Sequence, residues 1–144
     1  MPVYLEWVDQ PSDQDWIDLG KLYKEVPGQW YSDYGVETVQ EYVAAHSGSD
    51  ARLLAAGRFN DRLITAASLV PVEQGYAIQH LAVRAVTQGR GVARQLLVRL
   101  TQWADANQFM LVVDANEPAL AKLINKLEEH GFAAEQGRWV RQPA

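Results

Sequence analysis

The sequence predicts an α/β domain with a mixed central sheet, in which antiparallel N-terminal strands precede a parallel strand–helix–strand crossover. Three observations predict it. Apolar alternation indicates a first strand at Val3–Asp9. Strand patterns follow one another between Arg52 and Val83, and a helical period then separates them from a wholly apolar run at Phe109–Val113. A helix between two neighbouring strands favours parallel pairing. We expect residues 1–144 to form one domain.

The N-terminal third predicts two helices after the first strand. Ser12 precedes an amphipathic run and Asp15 lies three residues later, which is typical of a capped helix start. Apolar residues then recur at helical spacing, namely Trp16, Leu19, Leu22, Tyr23 and Val26. The irregular stretch Pro27–Gly35 predicts a long loop, and a second helix follows that ends near Gly48.

The middle and C-terminal segments complete the predicted order. Apolar runs at Arg52–Phe59 and Leu63–Val70 are joined by a short polar turn, which predicts a hairpin, and Gly75–Val83 is the next strand. A helix begins near Gly91, with its apolar face at Val92, Leu96, Leu97, Leu100, Trp103 and Ala104. Another helix lies between Pro118 and Gly131, before a short final hairpin at Phe132–Glu135 and Arg138–Arg141.

Composition excludes several functional classes. The chain has 13 Lys plus Arg against 18 Asp plus Glu, a net charge of −5, and no cysteine. This balance argues against nucleic acid and against a polybasic membrane anchor as binding partners. The lack of cysteine excludes disulfides and thiolate chemistry, and the three histidines show no metal-ligand spacing. The N-terminal residues carry no basic and apolar signal pattern, so we expect a cytoplasmic protein without a metal.

The segment Leu81–Ala93 is the most informative part of the sequence. A strand leads into a loop with two glycines, and the loop leads directly into a helix. Glycine lets a ligand approach the backbone closely, and a helix N-terminus presents unpaired N–H groups with partial positive charge. Arg84 and Arg90 add full positive charge. The loop is therefore either an anion cradle or a plain strand-to-helix turn with glycines required by sterics.

These residues carry a resemblance to the GNAT acetyltransferase superfamily. Gln88-Gly89-Arg90-Gly91-Val92-Ala93 resembles its pyrophosphate loop, and Leu81-Ala82-Val83 is similar to its central strand. Downstream, Asn116, Ala119, Leu123 and Gly131-Phe132 resemble further signatures of the superfamily, and the element order agrees over nearly the whole chain.

The resemblance implies the GNAT fold and a site for acetyl-CoA or CoA. It assigns the pyrophosphate to backbone N–H groups in the loop, namely those of Gln88, Gly89, Arg90, Gly91, Val92 and Ala93. It assigns the pantetheine arm to the main chain of Leu81, Ala82 and Val83, and to Asn116. Splayed parallel strands leave backbone groups that an amide-containing ligand satisfies.

Catalysis by this chain stays an open question at the level of sequence. In the superfamily a tyrosine commonly protonates the leaving thiolate, and Leu127 occupies the corresponding position here. His80, beside the central strand, is the candidate general base, with a packed strand residue as the alternative. His46 and His130 fall at helix ends, where a cation interacts favourably with the helix dipole, and we expect structural roles for both.

Three further segments are similar to one branch of the superfamily, the PanM/PanZ-type maturation factors of aspartate 1-decarboxylase. They are Ser12–Leu19, Arg58–Leu63 and Gly131–Trp139. This resemblance implies an acetyl-CoA-dependent regulator with the decarboxylase as its partner, bound through Arg58, Asn60 and Arg62. Pro27–Asp50 looks longer here than in that branch. The alternatives are an N-acetyltransferase acting on a small amine and an interaction domain without a ligand.

Overall fold

The computed structural model describes residues 2–47, 51–114 and 123–144 and confirms the predicted α/β class. Its strands are β1 (Tyr4–Trp7), β2 (Leu53–Phe59), β3 (Arg62–Val72), β4 (Gly75–Val83), β5 (Met110–Asp114), β6 (Ala133–Glu135) and β7 (Arg138–Arg141). Its helices are α1 (Asp13–Leu22), α2 (Gln29–Asp33), α3 (Val39–Ala44), α4 (Val92–Asn107) and α5 (Ile124–Leu127). Within the described residues, no helix is both long enough and apolar enough to cross a bilayer.

The described strands form one mixed sheet in the order β1-β2-β3-β4-β5-β7-β6. The first four strands pair in antiparallel fashion with their neighbours, and β4 pairs in parallel with β5. Helix α4 connects those two parallel strands, as the sequence predicted. The crossover places the N-terminus of α4 next to the C-terminal end of β4, which is where the functional site lies.

The two faces of the sheet are covered by different helices. On one face α4 packs its apolar stripe against the strands, with Leu96 and Leu100 fully buried beside Leu127 from α5. On the other face, helices α1 to α3 bury a cluster that includes Leu19 and Tyr42. Alternate strand residues serve the two layers, so Ala66 faces α1 to α3 whereas Ala67 faces α4.

Local sequence signals explain how α1 and the β2–β3 hairpin begin and end. The Ser12 hydroxyl accepts the Asp15 N–H at 3.1 Å and the Asp15 carboxylate accepts the Ser12 N–H at 3.2 Å, which confirms the predicted cap. The hairpin turn places Asn60 and Asp61 at φ 48° and 64°. Asn and Asp tolerate this left-handed region, so the hairpin forms without glycine.

The predicted loop at Pro27–Gly35 is wrong in part, because the structure forms helix α2 inside it. A helix of five residues is too short to be stable by itself in water. Trp30 supplies the missing stability by burying its indole in the cluster under α1 and α3. Packing against distant residues, rather than local propensity, therefore decides this element.

Gly75 gives a test of the close approach between β4 and β5. A Cβ at this position would collide with the main chain of Met110, whereas a Cβ at Gly20 in α1 would meet no atom within 4 Å. We expect Gly75→Ala to lower the free energy of unfolding by about 1–3 kcal/mol, the usual cost of overpacking. Gly20→Ala should raise it by about 0.5–1 kcal/mol, because alanine is the better helix former. Urea denaturation of both variants measures the two changes, and equal effects would contradict the assigned packing.

Candidate functional site

An opening between β4 and β5 forms the base of the candidate site. In the described residues the parallel pairing runs from Gly75 opposite Met110 to Ile78 opposite Val113, while β4 itself continues to Val83. The Arg84 N–H donates to Ile64 of β3 at 3.0 Å. Because backbone groups alternate along a strand, Leu81 and Val83 direct theirs away from β3 and into this opening.

A β-bulge in β4 coincides with the start of this opening. Ser68 of β3 pairs with Gln79 and Ala66 pairs with Ala82, so His80 and Leu81 together stand opposite a single β3 residue. His80 has φ 52°, an uncommon left-handed conformation for a residue other than glycine. A bulge bends its strand and increases the local twist. Here the bend lies two residues after Ile78, the last β4 residue that pairs with described residues of β5.

The loop between β4 and α4 exposes a helix N-terminus. Gly89 and Gly91 have φ of 81° and 74°, and a Cβ on either would meet no heavy atom within 4 Å. The backbone conformation therefore requires these glycines and leaves open space in front of them. Among the described residues no side chain caps α4 at Gly91, and the first turn contains no acidic residue. The free N–H groups and the helix dipole favour an anion here.

The opening and the loop meet in one cleft of about 370 Å³. Its lining comprises Leu81, Val83, Thr87, Gln88, Gly89, Gly91, Val92, Ala93, Arg94 and Leu123. The structure thus brings together most of the residues for which the resemblance implies cofactor contacts. Ala82 instead faces the α1–α3 layer, and Arg90 lines an adjoining cleft of about 410 Å³ along α4. Asn116 lies outside the described residues.

Thr87, Arg94 and Leu123 line the cleft although the sequence did not single them out as ligand residues. The Thr87 hydroxyl donates to the Arg84 carbonyl at 2.9 Å, which fixes the turn that precedes the glycines. A basic residue in the first turn of a helix, where acidic residues are usual, was the available signal for Arg94.

His80 is buried on the α1–α3 face with both ring nitrogens engaged. Its Nε2 lies 2.9 Å from the Asp33 carboxylate, its Nδ1 lies 2.7 Å from the Tyr42 hydroxyl, and its ring stacks on Trp30 at 4.8 Å. Burial lowers the pKa of His80, so the ring is neutral near pH 7. Nε2–H then donates to Asp33 and Nδ1 accepts from Tyr42. This arrangement leaves no ring lone pair for the proton of an incoming amine.

A second buried histidine, His46, joins α3 to β3. Its Nδ1–H donates to the Tyr42 carbonyl at 2.8 Å, and its Nε2 accepts from the Ser68 hydroxyl at 2.8 Å. The Tyr34 hydroxyl lies 2.6 Å from the same Ser68 oxygen. Burial lowers the pKa of His46 to about 4. The ring is therefore structural, as expected, but neutral rather than a cation at a helix end.

The three residues with predicted partner contacts lie around the β2–β3 turn. Asn60 is exposed at its tip. Arg58 pairs with Glu6 and Asp15, and the Arg62 guanidinium lies 2.6 Å from the Asp18 carboxylate.

Asp18 anchors this turn from inside the α1–α3 layer. Its carboxylate is fully buried and accepts the Leu63 N–H at 3.0 Å as well as donors from Arg62. Burial alone would raise the pKa of Asp18, but these hydrogen bonds outweigh it and hold the pKa below its usual range. Both arginines are thus held in place before any partner arrives.

Leu127, at the position of the superfamily's acidic tyrosine, is 1% exposed in the core under α4. Its side chain has no proton to donate to a thiolate. The described residues bring no three His, Asp or Glu side chains together in a way that could hold a metal ion.

Comparison with known proteins decides the family. The profile of the PanZ acetyltransferase (GNAT) domain matches residues 2–140. The chain belongs to this family. A relative from Escherichia coli strain K12, the PanD regulatory factor, is 30% identical over 130 residues, which cover 90% of this chain and 91% of that protein.

Solved structures confirm the GNAT fold of this PanZ-family protein. The solution structure of YhhK from E. coli bound to coenzyme A superposes with a TM-score of 0.65 at 24% identity, covering 99% of each chain. A spermidine N-acetyltransferase chimera of Vibrio cholerae SpeG and hSSAT reaches a TM-score of 0.70 at 17% identity, covering 99% of this chain and 96% of that one. At these identities the likeness establishes the fold alone.

The lowered pKa of His46 predicts loss of stability in acid. The folded-state pKa of about 4 lies below the usual histidine value of 6.5, so the unfolded chain binds the proton first. The stabilisation is complete above pH 6.5 and is lost as the pH falls toward 4, by about 2–3 kcal/mol at 1.4 kcal/mol per pKa unit. Urea denaturation at pH 7 and pH 4.5 measures this loss. His46→Gln should show a smaller loss over the same interval, and an equal loss in both proteins would contradict the assignment.

Proposed function

We propose that this protein binds acetyl-CoA, or CoA, in the cleft between β4 and α4 and thereby regulates an aspartate 1-decarboxylase partner. The observation that supports the ligand is that two features line the same cleft of about 370 Å³: the part of β4 beyond its last pair with described residues of β5, and a glycine-bounded helix N-terminus that no described side chain caps. Membership of the PanZ family and the relative named PanD regulatory factor support the partner and the regulatory role.

The residues of the cleft fit such a ligand. Gly89 and Gly91 let a pyrophosphate approach the N–H groups that begin α4, and a Cβ at either glycine would meet no described atom within 4 Å. The guanidinium groups of Arg90 and Arg94 border the two adjoining clefts and offset the charge of a polyanion on a protein of net charge −5. The main chain of Leu81 and Val83 offers donors and acceptors to amides of the pantetheine arm.

Regulation is favoured over catalysis by what surrounds the cleft. When bound, acetyl-CoA supplies a thioester that an amine could attack. The candidate base His80 is held by Asp33 and Tyr42, and Leu127 offers no acid to a leaving thiolate. A ligand that is bound but not consumed acts by thermodynamic linkage with a second binding event. An N-acetyltransferase acting on an amine is the second candidate, favoured by the acetyltransferase domain description of the family.

The β2–β3 turn is the proposed partner surface. Arg58 and Arg62 are oriented by ion pairs with β1 and α1, and Asn60 projects between them at the turn. Because these side chains are ordered before binding, less conformational entropy is lost when a partner's acceptor groups meet them. A partner offering carboxylates or backbone carbonyls matches this surface.

Thermal unfolding with acetyl-CoA tests the ligand. We expect wild-type stabilisation of about 2.7 kcal/mol at one hundred times the dissociation constant. Gly91→Ala adds a Cβ at φ 74° in front of the N–H groups and should weaken binding at least tenfold. Gly137→Ala is the matched control, because it adds a Cβ at φ 82° in equally open space at the turn between β6 and β7, away from the cleft. No shift in the wild type would contradict ligand binding, and equal shifts in both variants would place the ligand elsewhere.

Co-purification with the aspartate 1-decarboxylase precursor of the same organism tests the partner. We expect association that requires acetyl-CoA, and Asn60→Gly should weaken it at least tenfold while keeping the left-handed turn. Gln74→Gly is the matched control, since Gln74 has φ 69° at the exposed β3–β4 turn. Absence of association would contradict the regulator. Release of free CoA with an amine panel would then favour the transferase.

A further inference from the structure

We propose that His80 is a positioning residue through which the α2–α3 segment, residues 27–47, holds open the gap between β4 and β5. The inference deepens the proposed function and rests on it, because the gap is the proposed site of the pantetheine arm. It assigns a role to α2 and α3, which contribute no residue to the lining of the cleft itself.

At the bulge, β4 adopts a conformation that is unfavourable for a residue with a side chain. The left-handed φ of 52° at His80 costs free energy in a residue with a side chain, so tertiary contacts must maintain it. His80 is 3% exposed, which leaves its conformation to the groups packed around it. Only Gln79 separates the bulge from Ile78, the last residue of β4 that pairs with described residues of β5.

Side chains of the α2–α3 segment hold the His80 ring in place. Four side chains of the α2–α3 segment contact it: the Trp30 indole stacks at 4.8 Å with 7° between the planes, the Tyr34 ring lies at 5.0 Å, Asp33 bonds Nε2, and Tyr42 bonds Nδ1. Arranged around one imidazole, they fix both its ring plane and its two hydrogen-bonding directions. The next residue, Leu81, lines the ligand cleft on the opposite face.

The same segment is also attached to the sheet just before the bulge. Ser68 pairs with Gln79 across β3 and β4, and its hydroxyl is bound by His46 and Tyr34 of the same segment. The α2–α3 segment therefore contacts β3 just before the bend and β4 at the bend itself. Two attachments at neighbouring positions resist straightening of the strand better than either alone.

The consequence is a coupling between the two faces of the sheet. Without the His80 contacts, β4 is free to relax toward a regular strand, and the gap beside Leu81 narrows. Ligand affinity should then fall although no cleft residue has changed. By reciprocity, bound ligand should stabilise the packing of the α2–α3 segment.

Calorimetric titration of acetyl-CoA into four variants tests this inference. His80→Asn keeps a residue type that tolerates positive φ, and Asp33→Ala removes the bond to Nε2. We expect each to raise the dissociation constant at least fivefold, and the double variant to raise it no further than the larger single effect. Tyr31→Phe is the control, because it removes the bond to the Tyr23 carbonyl at 2.9 Å and leaves the His80 contacts intact. It should lower the melting temperature without changing affinity.

Hydrogen exchange distinguishes a positioning role of His80 from a purely structural one. Only a positioning role links the ligand to amide exchange in residues 27–47. Acetyl-CoA should slow exchange of amides in residues 27–47 of the wild type and leave them unchanged in His80→Asn. Affinity equal to wild type in His80→Asn and Asp33→Ala would overturn the inference alone. Failure of the wild type to bind would overturn the proposed function and the inference with it.

Discussion

The bulge at His80, just beyond the last described pair of β4 and β5, is the constraint that positions the cleft. Strands that paired over their full length would satisfy each other's backbone groups and leave no gap. Here pairing stops at Ile78 and Val113 in the described residues, and the bulge at His80 turns the remainder of β4 aside. Beyond the bulge the chain continues to Gly89 and Gly91. The same bend therefore opens the gap beside β4 and directs the loop between β4 and α4 toward it.

The two faces of the sheet have different roles. The α4 face supplies the cleft, with a helix N-terminus that carries partial positive charge into an acidic protein. The α1–α3 face supplies polar anchors: the buried Asp18 fixes the β2–β3 turn, while the exposed Asp33 and the buried Tyr42 fix the bulge. The contacts of Asp18 and Tyr42 are costly to break, because a buried charge or hydroxyl loses its partner without regaining water. They hold the candidate partner surface and the candidate ligand site on one rigid sheet.

Features that depend on neighbouring residues were predictable from sequence, and features that depend on distant contacts were not. The cap at Ser12 and the glycine loop before α4 each lie within a few residues, so spacing alone reveals them. Helix α2 was missed because burial of Trp30 stabilises it. The bulge depends on register with β3, and the occupied ring of His80 depends on Asp33, 47 positions earlier in the chain. No local pattern encodes either.

Amide chemical-shift mapping during an acetyl-CoA titration is the most direct test of ligand binding in the cleft between β4 and α4, because it identifies each perturbed residue. We expect the largest chemical-shift perturbations at Leu81, Val83 and residues 88–94, with smaller ones at His80 and in α2. Perturbations confined to the opposite end of the sheet, around Tyr76 and Phe109, would contradict it. So would a spectrum unchanged at millimolar ligand.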